Sequence, residues 1–126
     1  MGKTVLIADD SMFMRWILQK ALTDAGYHVV GEAENGQIAV ELYQKLHPDV
    51  VTMDITMSVM DGIKATEAIL NLDPDARVVM CSAMGQKSLV REALEAGARD
   101  FIVKPFNPKQ IAEVMDKVLE STARSC

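Results

Sequence analysis

Asp49-Val-Val-Thr-Met-Asp54 says most about how this chain folds. It is a short apolar run with Pro48 before it and a carboxylate at its C-terminal end. Val50 and Val51 are β-branched, the run is too short for a buried helix, and helix-patterned segments flank it. These features predict a strand buried on both faces of a parallel sheet. Ligands of open α/β sheets sit beyond the carboxyl ends of the strands, so Asp54 stands where chemistry is usually done. One carboxylate at a strand end is weak evidence; what other strands bring to that edge decides its meaning.

Working outward, residues 3–8 (KTVLIA) form a second apolar run ending in Asp9-Asp10. Ser11 is a plausible N-cap for a helix running to about Ala25, with Gly26 as its stop. Met14, Ile17, Leu18, Ala21 and Ala25 share one side and are expected against the sheet. Met12, Arg15, Trp16, Gln19 and Thr23 share the other. Residues 27–33 alternate as a strand, and Asn35-Gly36 opens a helix to about Leu46. After Asp54 comes an irregular loop closed by Gly62, a helix to about Leu72 and the turn Asp73-Pro74-Asp75. A fourth strand (77–81) ends at Ser82, and the helix from about Lys87 to Ala96 stops at Gly97. The fifth strand, Asp100–Val103, leads to Lys104-Pro105. The last helix begins near Pro108, with Ile111, Val114, Met115 and Val118 as its buried stripe. Residues 121–126 are expected to fray.

Five strand-helix repeats predict an α/β, doubly wound parallel sheet covered on both faces. At 126 residues, 49% hydrophobic and 25% charged, the chain reads as one domain, 1–126. A formal net charge of -5 argues against non-specific nucleic-acid binding. No apolar run is long enough for a membrane span and no signal-peptide core opens the chain, so a cytoplasmic protein is expected. The two cysteines, Cys81 and Cys126, give no metal or disulfide framework and read as free thiols.

The carboxyl edge collects Asp9, Asp10, Asp54, Ser82 and Lys104 from four strands. Three carboxylates within ~5 Å repel by about 3 kcal/mol per pair at an effective dielectric near 20. Such a cluster needs a cation or a proton. All-oxygen ligation suits Mg2+, and a lysine beside the acids makes sense if an anion is also held there. Taken singly, Asp9-Asp10 could merely start a helix, Ser82 could be a cap and Lys104 a surface lysine. Together they read as a metal-assisted phosphoryl site with Asp54 as nucleophile.

Asp9-Asp10, Asp54 with Met57 and Asp61-Gly62 after it, Ser82-Ala83 and Lys104-Pro105-Phe106 resemble the receiver domain of two-component response regulators. The resemblance runs from residue 3 to about 120, and no output domain is expected beyond it. Asp-Ile-Thr-Met at 54–57, Cys-Ser-Ala-Met-Gly-Gln at 81–86 and Phe-Ile-Val-Lys-Pro-Phe at 101–106 are most similar to stand-alone chemotaxis regulators of the CheY type. Strand order 2-1-3-4-5, the flavodoxin-like order for which CheY is a standard example, comes with the resemblance and not from local patterns.

The resemblance implies that Asp54 accepts a phosphoryl group from a histidine kinase of the chemotaxis type. Asp10 would ligate Mg2+ directly, or Mn2+ in its place, and Asp9 mostly through water. Asp54 and the backbone carbonyl of Thr56 would complete the protein ligands. Lys104 would pair with the phosphoryl oxygens, with a cis Lys104-Pro105 bond, while Ser82 and Phe101 act as switch residues. Thr56 and Met84 would flank the path of the water that hydrolyses the acyl phosphate. The chain would work as a monomer, catalyse only its own phosphorylation and dephosphorylation, and dock on a flagellar motor switch protein, with a phosphatase as a further partner. An intermediate carrier in a phosphorelay is the alternative. The family usually has proline four residues after the phosphoacceptor; Ser58 stands there. A haloacid-dehalogenase-type phosphatase would need a second aspartate where Thr56 stands. A flavodoxin would need a Ser/Thr/Gly-rich phosphate loop where Asp9-Asp10 would repel a phosphate. Met12 and Trp16, exposed one turn apart, suggest either isolated surface residues or a docking spot for a phosphatase or kinase domain.

Overall fold

The computed structural model describes residues 3–120. Its elements alternate: β1 (Thr4–Ala8), α1 (Met12–Asp24), β2 (His28–Ala33), α2 (Gly36–Leu46), β3 (Val50–Asp54), α3 (Gly62–Leu72), β4 (Val78–Ser82), α4 (Lys87–Ala96), β5 (Asp100–Val103) and α5 (Pro108–Glu120). The strands form one sheet in the order β2-β1-β3-β4-β5, and every neighbouring pair is parallel. β3 lies at the centre and all five of its residues are buried, as the apolar run around Val50 and Val51 requires.

Two cores lie against the two faces of the sheet. Successive strand residues point to opposite faces, so Leu6, Val51, Met53, Val78 and Met80 enter one core with residues of α2, α3 and α4. Val5, Ile7, Val50, Val79, Cys81 and Ile102 enter the other with α1 and α5. α5 buries Ile111, Met115 and Val118, while Val114 is only partly buried against that core.

The face of α1 differs from its sequence reading. Leu18, Ala21 and Leu22 are its buried residues, Met14 and Ile17 are half-buried, and Ala25 is exposed. Ala25 is already the C-cap, one residue past the end of the helix, so it does not continue the buried stripe. Arg15 does not point into solvent either. Its guanidinium turns back to the Asp9 carbonyl at 2.7 Å and to Glu32 Oε1 at 3.0 Å. Cys81 is buried, and burial pushes its thiol pKa up. The expectations for Cys126 and for fraying of 121–126 lie outside the described residues.

Candidate functional site

Four of the strands deliver the site. β1 ends at Ala8, so Asp9 and Asp10 fall immediately past the sheet edge. Asp9 is fully buried. Its backbone N–H donates to the Ala33 carbonyl (3.0 Å), and its Oδ1 accepts from the Ser11 N–H (2.9 Å). With Arg15 on the Asp9 carbonyl as well, backbone and side chain are both pinned. Asp54 ends β3 and is 6% exposed. Carboxylate oxygens of Asp9, Asp10 and Asp54 lie within 4.8 Å of one another.

Lys104 follows β5 and aims its ammonium into this group, with Nζ 3.2 Å from Asp54 Oδ1 and 3.1 Å from Asp9 Oδ2. The Asp54 contact is a hydrogen bond; Asp9 Oδ2 is in ion-pair contact but has no hydrogen-bonding partner. Lys104-Pro105 is cis, as the resemblance implied. Burial, then the Asp9 charge, raises the Asp54 carboxyl to about 6, against the pull of Lys104. Burial works against the Lys104 ammonium, but Asp54 and Asp9 outweigh it and its pKa is raised. Three carboxylates whose oxygens lie within 4.8 Å of one another fit a hard divalent cation. One lysine cannot neutralise three carboxylates.

The loop after Asp54 is held close. Gly62 N–H donates to the Ile55 carbonyl (2.7 Å), and a Cβ on Gly62 would overlap the Asp54 carbonyl, so no larger residue fits there. Asp61 caps α3 by accepting from the Lys64 N–H at 2.9 Å. Within the loop, Met60 N–H donates to the Ser58 carbonyl (2.7 Å) around Val59 at φ 67. This i→i+2 turn through positive φ is strained for a β-branched residue. The segment with Ser58 in place of proline is therefore tightly turned, not slack.

Ser82 ends β4 and is buried; Cys81 pairs with Asp54 across the sheet, so Ser82 and Ala83 extend past the carboxylate. Thr56 and Met84 are exposed on the segments leaving β3 and β4. Phe101 on β5 is 37% exposed and points outward, lining an open cavity of ≈ 720 Å³ with Ser82, Met84, Val90, Leu94 and Val103. Sequence reasoning missed Gln86, whose side chain joins the two loops. Its Oε1 accepts from the Ala83 N–H (2.7 Å) and its Nε2 donates to Thr56 Oγ1 (3.1 Å). Only its place in the run 81–86 hinted at it. Phe13, also missed, stacks on Trp16, and with Met12 both are exposed.

A doubly wound sheet of order 2-1-3-4-5 thus carries three acids, a serine and a lysine on its carboxyl edge. Residues 5–116 match the response regulator receiver domain, and the chain belongs to that family. Within it, the chain is closely related to the CheY chemotaxis regulators. It is 57% identical over 118 residues to the chemotaxis protein CheY of Thermotoga maritima, covering 94% of this chain and 98% of that one. The CheY of Bacillus subtilis is 52% identical over 119 residues, 94% of this chain and 99% of the relative. CheY in the crystal structure of the CheX-CheY-BeF3-Mg+2 complex from Borrelia burgdorferi superposes with a TM-score of 0.88 at 39% identity, covering 92% and 88% of the two chains. Among the described residues no helix is long and apolar enough to cross a membrane.

Proposed function

We propose that the chain is a single-domain chemotaxis response regulator, phosphorylated on Asp54 by a histidine kinase and read out by docking to the flagellar motor switch. The observation that carries the reading is the buried Asp54 held between two further acids and the Lys104 ammonium. One Asp54 Oδ attacks phosphorus, the P–N bond of a phosphohistidine breaks, and its electron pair leaves on the imidazole nitrogen. Asp54 must be ionised to attack. Asp9, Asp10, Asp54 and the Thr56 carbonyl would hold Mg2+, which supplies the positive charge that lowers the Asp54 pKa and neutralises the phosphoryl oxygens. Lys104 pairs with those oxygens. In the separate dephosphorylation step, water passing between Thr56 and Met84 attacks phosphorus, the Asp54 O–P bond breaks, and inorganic phosphate, a proton and the Asp54 carboxylate are released.

Phosphorylation adds about one negative charge at Asp54. That charge draws Ser82 and Lys104 inward and opens space behind Ser82, which Phe101 fills from its outward position. The α4–β5–α5 face so changed binds a short amphipathic helix of the motor switch protein. Support comes from the relatives named as chemotaxis proteins and from the relative bound to BeF3 and Mg with CheX, which also favours a partner of that kind here. Incubation with acetyl phosphate and borohydride trapping tests the site. Label is expected on Asp54, lost in Asp54→Asn and in EDTA, and restored by Mg2+ or Mn2+. Label that persists in EDTA, or that falls first on Ser82, overturns the assignment. Binding of a motor-switch N-terminal peptide tests the output. Equal affinity with and without beryllofluoride, alongside tight histidine-phosphotransferase binding, would make the chain a phosphorelay carrier instead.

A further inference from the structure

Gln86 occupies a position that its secondary structure does not explain. It precedes α4, where a side chain normally caps the helix, yet it makes no cap bond to α4. Its amide instead reaches back over Gly85 to the Ala83 N–H and across to the Thr56 hydroxyl. Gly85 at φ 89 supplies the reversal, a conformation L side chains rarely adopt. The two bonds join the segment leaving β3 after Asp54 to the segment leaving β4 after Ser82. Asp54 pairs with Cys81, so both segments begin within two residues of the carboxylate's place on the sheet edge.

We infer that Gln86 is a positioning residue that latches the Ser82–Ala83 backbone in its resting place, so that an anion on Asp54 must take the Ala83 N–H away from the Gln86 carbonyl. The inference rests on the phosphoacceptor reading of Asp54. A backbone N–H one residue past Ser82 is a natural donor to a charged oxygen beyond β3. A phosphoryl oxygen is a stronger acceptor than a neutral amide carbonyl. The latch therefore yields to the phosphoryl group but opposes spontaneous movement of Ser82. The Thr56 hydroxyl keeps the glutamine amide aimed while the latch is closed. Removing the latch raises affinity for the anion without touching any group that binds it.

The test uses the full chain with Mg2+ and beryllofluoride as the probe. Gln86→Met keeps the side chain's length and apolar stem and removes both bonds. It is expected to bind beryllofluoride about fivefold tighter, the scale of one net neutral hydrogen bond. The Ala83 amide proton, read by NMR without beryllofluoride, should move upfield in Gln86→Met, and Mg2+ affinity should stay unchanged. A purely structural loss would weaken binding, which is the opposite sign. An Ala83 resonance that does not move, or one that moves while beryllofluoride affinity stays level or falls, overturns the latch. Wild-type protein that takes up no beryllofluoride would instead overturn the Asp54 reading itself, and the latch with it.

Discussion

Asp54 on β3 and Phe101 on β5 flank the same strand, β4, and their surroundings differ in kind. Around Asp54 the parts are pinned. Asp9 is held at backbone and side chain, Gly62 is wedged on the Asp54 carbonyl, and Lys104 bridges two carboxylates. Around Phe101 little is pinned. The ring faces an open cavity, and Met84 beside it is 80% exposed. α1, α2, α3 and α5 begin on side-chain caps from Ser11, Asn35, Asp61 and Asn107, whereas α4 has none. Such a cap contributes about 1 kcal/mol. The chemistry proposed for Asp54 needs groups that stay put, and the proposed readout needs an element with somewhere to go.

Lys104→Met should disturb the pinned side most. It leaves buried Asp9 and Asp54 facing each other, and metal-free protein should lose about 2 kcal/mol, a buried-pair effect discounted for the partial exposure of Lys104. Mg2+ should restore much of that, measured by urea unfolding with and without the ion. Titration reads the same group in wild type. The metal-free Asp54 carboxyl sits at about 6 against 3.8 ordinarily, so it binds its proton more tightly folded than unfolded. Its contribution to stability is fully present below about 3.8 and is lost as pH rises through about 6. Asp54→Asn should remove that slope, and a slope unchanged in that variant would assign it to another group.

Phe101→Ala should act on the open side alone. The preference of a motor-switch peptide for the beryllofluoride form should shrink by about tenfold, a coupling on the order of 1.4 kcal/mol. Stability should fall by only about 1–2 kcal/mol, because the ring is already partly in water. If stability falls severalfold more than this while the preference survives, the two sides do not divide as described.

Two smaller effects test the rim between them. Met84→Glu places a carboxylate beside the water path and should change acyl-phosphate decay by about threefold or more. Lys117→Ala, which breaks only an exposed 3.8 Å ion pair with Asp100, should leave decay unchanged. Equal decay in the two variants would remove Met84 from the path. Val59→Gly relieves the positive φ in the Asp54 loop and should stabilise by about 0.5 kcal/mol, strain relief less the added chain entropy of glycine. A loss of stability would mean that the turn is not strained.

The ends of the elements and the members of the acid cluster were legible in the sequence, because both follow from local rules. Apolar runs of strand length, Ser11 as a cap, Asn35-Gly36 as the opening of a helix, and Gly26 and Gly97 as stops all precede or follow their elements by a residue or two. The acids fall at strand ends, and all strands of a parallel sheet end on one edge. What lies one side chain away in space was not legible. Leu22 in place of Ala25 on the buried face depends on where α1 crosses the sheet. The turn of Arg15 toward Asp9 and Glu32 depends on β2 lying beside β1. Gln86 reaches Thr56 only because β3 and β4 are neighbours, a pairing that local pattern does not specify. Which polar residues stand on the carboxyl edge could be read from the sequence, because hydrophobic periodicity and strand polarity are local. Which of them touch is set by the three-dimensional fold, because contacts between segments distant in the chain depend on strand order and crossing geometry.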